Sequence, residues 1–130
     1  MEAIIATNRL GYIGLNGGLP WKSKKDLQHF KGITMGKTLL VGRSTFESMP
    51  KLNGRKVIVV GKGYNTLEEA LKNDIDFVIG GKKMYESVSH LIKHIHISVI
   101  DNEVVGDTIL PHVNQWGVGV PLTWYEFDED

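Results

Sequence analysis

Apolar residues in this chain gather in short runs parted by polar, glycine-containing stretches. Glu2–Ala6, Thr38–Gly42, Lys56–Val60, Asp76–Ile79, His94–Ile100 and Leu122–Phe127 read as strands. Helices are predicted at Ser23–Lys31, Thr45–Ser48, Thr66–Lys72 and Lys82–Leu91, the last with Met84, Val88 and Leu91 along one stripe. A hydroxyl followed three residues later by an acid marks three helix starts: Ser23 with Asp26, Ser44 with Glu47, and Thr66 with Glu69. Strands alternating with helices predict an α/β fold, a mostly parallel sheet with helices on both faces. No helix separates the last two strands, which predicts an antiparallel C-terminal edge strand. Thr7–Lys22 is the one long irregular stretch early on. It is rich in glycine, ends in Leu19-Pro20-Trp21, and has the character of a lid over a site.

Composition narrows the function classes. The 130 residues amount to one domain, 1–130, large enough for a real core. Fifteen Lys and Arg balance fifteen Asp and Glu, so no general pull toward nucleic acid or a membrane surface exists, and any anion site must be built locally. The absence of cysteine excludes disulfides, thiolate metal sites and a cysteine nucleophile. The N-terminus lacks the pattern of a signal peptide, and no apolar run is long enough to span a bilayer. A cytoplasmic location is the expectation, with a monomer as the default state and a dimer through an uncovered sheet edge as the alternative.

Two strand-to-helix junctions place glycine beside cations: Leu40-Val41-Gly42-Arg43-Ser44-Thr45 and Val78-Ile79-Gly80-Gly81-Lys82-Lys83. Glycine admits a ligand close to the backbone, and a helix N-terminus offers free N–H groups and partial positive charge. Either junction alone is explained as well by a tight turn; two in one small sheet favour a bound anion such as a pyrophosphate. Neither matches the P-loop or the dinucleotide fingerprint. Asp26 shares a predicted helix face with Phe30, next to Leu27, and is either a buried functional acid or the acid of a capping box. His94-x-His96 puts two imidazoles on one strand face. No third ligand of suitable spacing stands out, so an exposed-edge position and no metal are expected there.

These segments, in this order, resemble dihydrofolate reductase. The resemblance runs from Glu2 to about Thr108 and rests on Ile4-Ile5-Ala6, Gly14, Leu19-Pro20-Trp21, Asp26-Leu27, Phe30-Lys31, Thr34, Gly42 to Ser48, Gly54-Arg55, Val78 to Gly81 with Tyr85, and Gly106-Asp107-Thr108. It implies NADPH-dependent reduction of 7,8-dihydrofolate to tetrahydrofolate, serving one-carbon metabolism and nucleotide synthesis, and sensitivity to antifolates. Asp26 matches the family's pterin-binding acid, with the proton delivered through water, and Trp21 accompanies it as the second catalytic position. Ile5, Leu27, Phe30, Met49 and Ile79 match positions along the substrate's rings. Arg55 matches the arginine that grips the α-carboxylate of the glutamate tail, where residue pattern alone favoured a solvated turn. Thr34 and Thr108 read as supporting positions. For the cofactor, Arg43 and Lys62 match the 2′-phosphate positions, and Ser44 and Thr45 with Gly81 and Lys82 the pyrophosphate positions. Ala6, Ile13, Leu19, Gly42, Val60, Ile79, Gly80, Lys83 and Tyr85 complete the cofactor set, and the Gly80–Gly81 bond is expected to be cis.

The chain departs from the family pattern in places. Lys82 stands where a third glycine is common, and Gly61 where a serine often helps hold the 2′-phosphate. A family strand is missing between Val60 and Asp76, and the stretch after Thr108 is too short for the usual long hairpin and two final strands. The expectation is a miniature member with one surviving edge strand, Leu122–Phe127. Two other readings are a scaffold that binds pteridine or nucleotide without turnover and a reductase of the same fold acting on a riboflavin precursor. Intact Trp21, Asp26 and Arg55 argue against the scaffold, and the combination of Leu19-Pro20-Trp21 with Asp26 argues against the second reductase.

Overall fold

The structure, a computed structural model, describes residues 1–113, 116 and 119–130. Six strands form one sheet: β1 (Glu2–Asn8), β3 (Thr38–Gly42), β4 (Lys56–Val60), β5 (Phe77–Val78), β6 (Ile95–Asp101) and β8 (Leu122–Asp128). Their spatial order is β4-β3-β5-β1-β6-β8, and every neighbouring pair is parallel. Strands buried on both faces need apolar side chains in succession, and Ala3-Ile4-Ile5 and Leu39-Leu40-Val41 supply them. A second, antiparallel pair joins β2 (Tyr12–Gly14) to β7 (Thr108–Ile109).

The sheet's alternation divides the core. On one face Ala3, Ile5, Leu40, Val78, Ile95 and Ile97 pack with Met84, Tyr85 and Val88 of α4 (Lys82–Val88) and Ala70 of α3 (Leu67–Ala70). On the other, Ile4, Leu39 and Phe77 meet Phe30 and Ile33 of α1 (Lys24–Thr34), with Leu52 and Ile79. The short helix α2 (Arg43–Ser48) follows β3 directly. Helices therefore cover both faces, as the strand–helix alternation implied.

Three expectations change. The last strand is parallel to β6, pairing Ile95 with Leu122 through Asp101 with Asp128. Residues 102–121 make the difference. They leave the C-terminal end of β6, pair with β2 through β7, and return to Pro121, whose carbonyl accepts the N–H of Ile95 at 3.0 Å. A connection of that length suffices for the return crossover that a parallel pair needs. Second, the Ser44–Glu47 cap does not form: Gly42 is the N-cap of α2, and Glu47 turns to Arg43 at 2.9 Å. Third, Thr7–Lys22 is not wholly irregular. β1 runs on to Asn8 and β2 lies within the stretch. Asn8 is buried, and its Oδ1 accepts the N–H groups of Leu10 and Tyr12 at 3.1 and 3.0 Å.

Candidate functional site

In parallel sheets the C-terminal strand ends gather the loops, and the crevice there takes ligands. Here β3 and β5 are neighbours, so both glycine junctions meet. The N–H of Gly42 donates to the carbonyl of Gly80 at 2.8 Å, and the Gly80–Gly81 bond is cis. A side chain at Gly81 would fall 2.8 Å from Thr45 Oγ1, so glycine keeps this floor open. α2 and α4 start here with Gly42 and Gly81 as N-caps, and neither receives a side-chain cap. By contrast, α1 and α3 are capped by Ser23 and Thr66, the latter in a full capping box. The uncapped starts leave backbone N–H groups of Arg43 to Thr45 and Lys82 to Met84 without a side-chain cap at the C-terminal ends of β3 and β5, a setting that favours an anion. The side chains of Lys62, Lys82 and Lys83 form no ion pair among the described residues. Tyr85 lies beneath Gly80 rather than at the surface: it is buried, its hydroxyl donates to the Ile4 carbonyl at 2.6 Å, and burial pushes its pKa up.

Val60 ends β4 opposite Gly42, which brings Gly61 and Lys62 to Arg43. Arg43 reaches the Lys62 carbonyl at 3.4 Å and Glu47 at 2.9 Å. Gly61 has φ +150, and a Cβ there would stand 2.6 Å from the Cβ of Arg43. The serine common at this position in the family pattern would crowd Arg43 here.

On the α1 face, Asp26 is 5% exposed, with Trp21 and Ser23 also buried. Ser23 accepts the Asp26 N–H at 3.3 Å, which makes Ser23 the cap. The Asp26 carboxylate lies near Ser98, which is opposite Ala6 in the β1–β6 register. Burial raises its pKa above the ordinary carboxylate value, and the Ser98 hydroxyl offsets only part of that. No cation pairs with it among the described residues. The buried acid thus stands without a cation among the described residues, next in sequence to Leu27, which is 57% exposed. Phe30 and Ile79 share one apolar cluster on this side, with Leu52, while the Ile5 side chain points to the opposite face of the sheet. Met49 is half-buried just after α2.

Arg55 is not a free turn residue. It donates to Thr34 Oγ1 at 3.2 Å and to the Asn53 carbonyl at 3.0 Å, while Thr34 donates to the Phe30 carbonyl at 2.7 Å. Lys31, Met35, Lys51, Asn53, Gly54 and Arg55 line an open cavity of about 430 Å³ with three cations and no acid. The glycine-rich stretch is tied down by Asp107, which accepts the Asn16 N–H at 2.8 Å and the Thr108 hydroxyl at 2.9 Å. The Asn16 N–H and then Thr108 hold the Asp107 carboxyl below its ordinary pKa. Ile13 packs on the core, while Leu19 is half exposed on that stretch.

Sequence reasoning missed Ser98, Leu52 and the flanking Lys31 and Lys51. A signal existed for Ser98. It is the polar residue inside the apolar run Ile97–Ile100, two positions after His96 and so on the same strand face.

The comparisons agree with one another. The family model described as dihydrofolate reductase matches residues 1–119. Dihydrofolate reductase type 15 of Escherichia coli is 36% identical, over 87% of this chain and 82% of its own length. The dihydrofolate reductase of Mycobacterium leprae (strain TN) is 30% identical, over 93% and 86%. A solved dihydrofolate reductase from Enterococcus faecalis, complexed with NADP(H) and RAB-propyl, superposes with a TM-score of 0.76 at 31% identity, covering 87% of this chain and 77% of that one.

Proposed function

The chain belongs to the dihydrofolate reductase family, and from that premise we propose that it reduces 7,8-dihydrofolate to 5,6,7,8-tetrahydrofolate with NADPH, for one-carbon metabolism and nucleotide synthesis. The observation that carries this reading is Asp26, a buried carboxyl on the sheet face shared with Phe30 and Ile79, with no cation paired to it among the described residues. Such a group needs a donor from outside the chain. The amidine-like edge of a pterin supplies two N–H donors to its two oxygens, a charge-assisted pairing. Asp26 thereby orients the ring and favours protonation of the nitrogen next to the carbon that receives hydride, the proton arriving through water. Trp21, buried beside the start of α1, belongs to the same wall of the site. Phe30, Ile79 and Met49 flank the ring system, with Leu27 and the Ile5 backbone along its edge. Arg55 holds the α-carboxylate of the glutamate tail, backed by Lys31 and Lys51. Antifolates that mimic the pterin edge bind in the same place.

The residues present fit the cofactor. The open floor at Gly81 and the uncapped starts of α2 and α4 suit a pyrophosphate, held by Ser44, Thr45, Gly81 and Lys82, with Lys83 close by. Arg43 and Lys62 take the 2′-phosphate. Gly42, Val60 and Gly80 allow close approach, Tyr85 supports the floor, and Ala6, Ile13 and Leu19 lie toward the nicotinamide. When bound, NADPH supplies the hydride. The protein's own part is to align the two rings and exclude water. The direct test mixes the purified protein with NADPH and dihydrofolate and follows loss of the reduced nicotinamide absorbance. Tight binding of both without oxidation would sink the proposal.

A further inference from the structure

At the strand-start end of the sheet, opposite the glycine junctions, the first residue of β1 meets the start of β6. Glu2 Oε1 lies 3.1 Å from His94 Nδ1 and 2.9 Å from His96 Nε2, and the two imidazole rings stand 4.1 Å apart. One oxygen and two nitrogens thus converge, all within 4.8 Å of one another. The far nitrogens are held too: His94 Nε2 lies 2.6 Å from Thr123 Oγ1 and His96 Nδ1 lies 3.2 Å from the Tyr125 hydroxyl, both on β8. Because β1, β6 and β8 are parallel, these five side chains come from three strand starts that the sheet register itself aligns. His96 is largely covered, while Glu2 and His94 are partly open to water, so an entry path exists. The expected exposed-edge position for His94 and His96 is therefore corrected: β8 is the edge, and Glu2 is the third group that local spacing did not reveal.

We propose that Glu2, His94 and His96 form a binding site for a divalent transition cation of the zinc class, with water as the fourth ligand. The donor set is two imidazoles and a carboxylate, which suits zinc, cobalt or nickel and is unsuited to magnesium or calcium. Tetrahedral zinc at its usual bond lengths of about 2.0–2.2 Å sets its ligand atoms roughly 3.4 Å apart. The two Glu2–His separations need to open by only a few tenths of an ångström from 2.9 and 3.1 Å. Without the ion, each imidazole presents N–H to the carboxylate and accepts from its hydroxyl partner. With the ion bound, each ring proton shifts to the far nitrogen and is donated to Thr123 or Tyr125, whose hydroxyls can reverse roles. This is the outer-shell support that metal-bound imidazoles ordinarily have. The ion would tie β1 to β6 at the base of the sheet, away from the reacting groups.

The test strips the full chain with a chelator and titrates it with Zn²⁺ alone. One equivalent is expected to bind, with a higher melting temperature that the chelator reverses. Glu2→Ala and His96→Ala should abolish both effects, and Glu2→Gln, which keeps the side-chain shape, should weaken them. Thr123→Val should lower affinity on the order of 10–100-fold. Circular dichroism of each metal-free variant establishes that it is folded. In the unaltered protein, Co²⁺ should shift the ring protons of His94 and His96 in NMR spectra. Absence of saturable binding, undiminished binding in folded Glu2→Ala, or Co²⁺ shifts confined to His90 or His112 would each overturn the proposal.

Discussion

The hydroxyl of Ser23 donates to the backbone carbonyl of Asp128 at 2.8 Å while accepting the Asp26 N–H at 3.3 Å, so the last strand holds the helix start that carries the buried acid. Two further bonds close the same seam: Asp130 N–H to the Lys22 carbonyl at 2.8 Å and Lys24 N–H to Asp130 Oδ1 at 2.9 Å. Ser23→Ala removes a cap and a strand tether together. A loss of about 1–2 kcal/mol is expected in urea unfolding, with lower kcat from a looser Asp26. Unchanged stability would show that the seam carries no energy.

Asp26→Asn separates chemistry from folding. Ser23 keeps its cap, because the bond uses the Asp26 backbone. Turnover of dihydrofolate should fall about 10²–10⁴-fold, with NADPH binding retained and part of the rate regained as pH falls and solution protonates the substrate. Stability should move the other way. Burial raises the Asp26 pKa in the folded state, so its folding penalty is absent below the unfolded value of 3.8 and develops as pH rises through the folded value. Asparagine removes that penalty. The variant should therefore melt higher than the parent at pH 7, with the gap closing toward pH 4. Thermal scans at both pH values check this, and a variant that melts earlier yet turns over normally would return Asp26 to a purely structural role.

The proposed preference for NADPH rests on Arg43, whose guanidinium is shared with Glu47. Arg43→Ala should weaken NADPH far more than NADH, since a charge-assisted contact contributes about 1.5–3 kcal/mol. Glu47→Gln frees the guanidinium and should strengthen NADPH binding modestly, more at low salt. Fluorescence titration with the two cofactors reads both effects. Equal affinities in the unaltered protein would contradict the assignment of Arg43.

Gly61→Ser is expected to fail as an improvement, although serine is common there in the family. The backbone at φ +150 disfavours any side chain, and its Cβ would press on Arg43. A destabilisation of about 1–3 kcal/mol should accompany weaker NADPH binding. A stable variant with tighter binding would show that the loop after β4 relaxes freely.

Arg55→Ala should raise KM for dihydrofolate, with little change in kcat or in NADPH affinity. The tail lies far from the reacting carbon and contributes nearly equally in ground and transition states. A pteridine without the glutamate tail should be indifferent to the substitution. Comparing kcat/KM for the two substrates decides whether Arg55 holds the tail.

What the sequence by itself determined was local. Thr38–Gly42 and Lys56–Val60 form strands with the bounds that their apolar runs imply, and Ser23 and Thr66 cap their helices. Each depends on a period, a cap or a motif contained within a few residues, and the ordered motifs named the family. The tertiary structure alone decided which distant groups meet. Ser98 lies near Asp26, Thr34 receives Arg55, Glu2 joins His94 and His96, and β8 runs parallel to β6. These contacts follow from strand order and from the path of residues 102–121. Periodicity is blind to both, because it records which face a residue occupies and not which strand lies beside it.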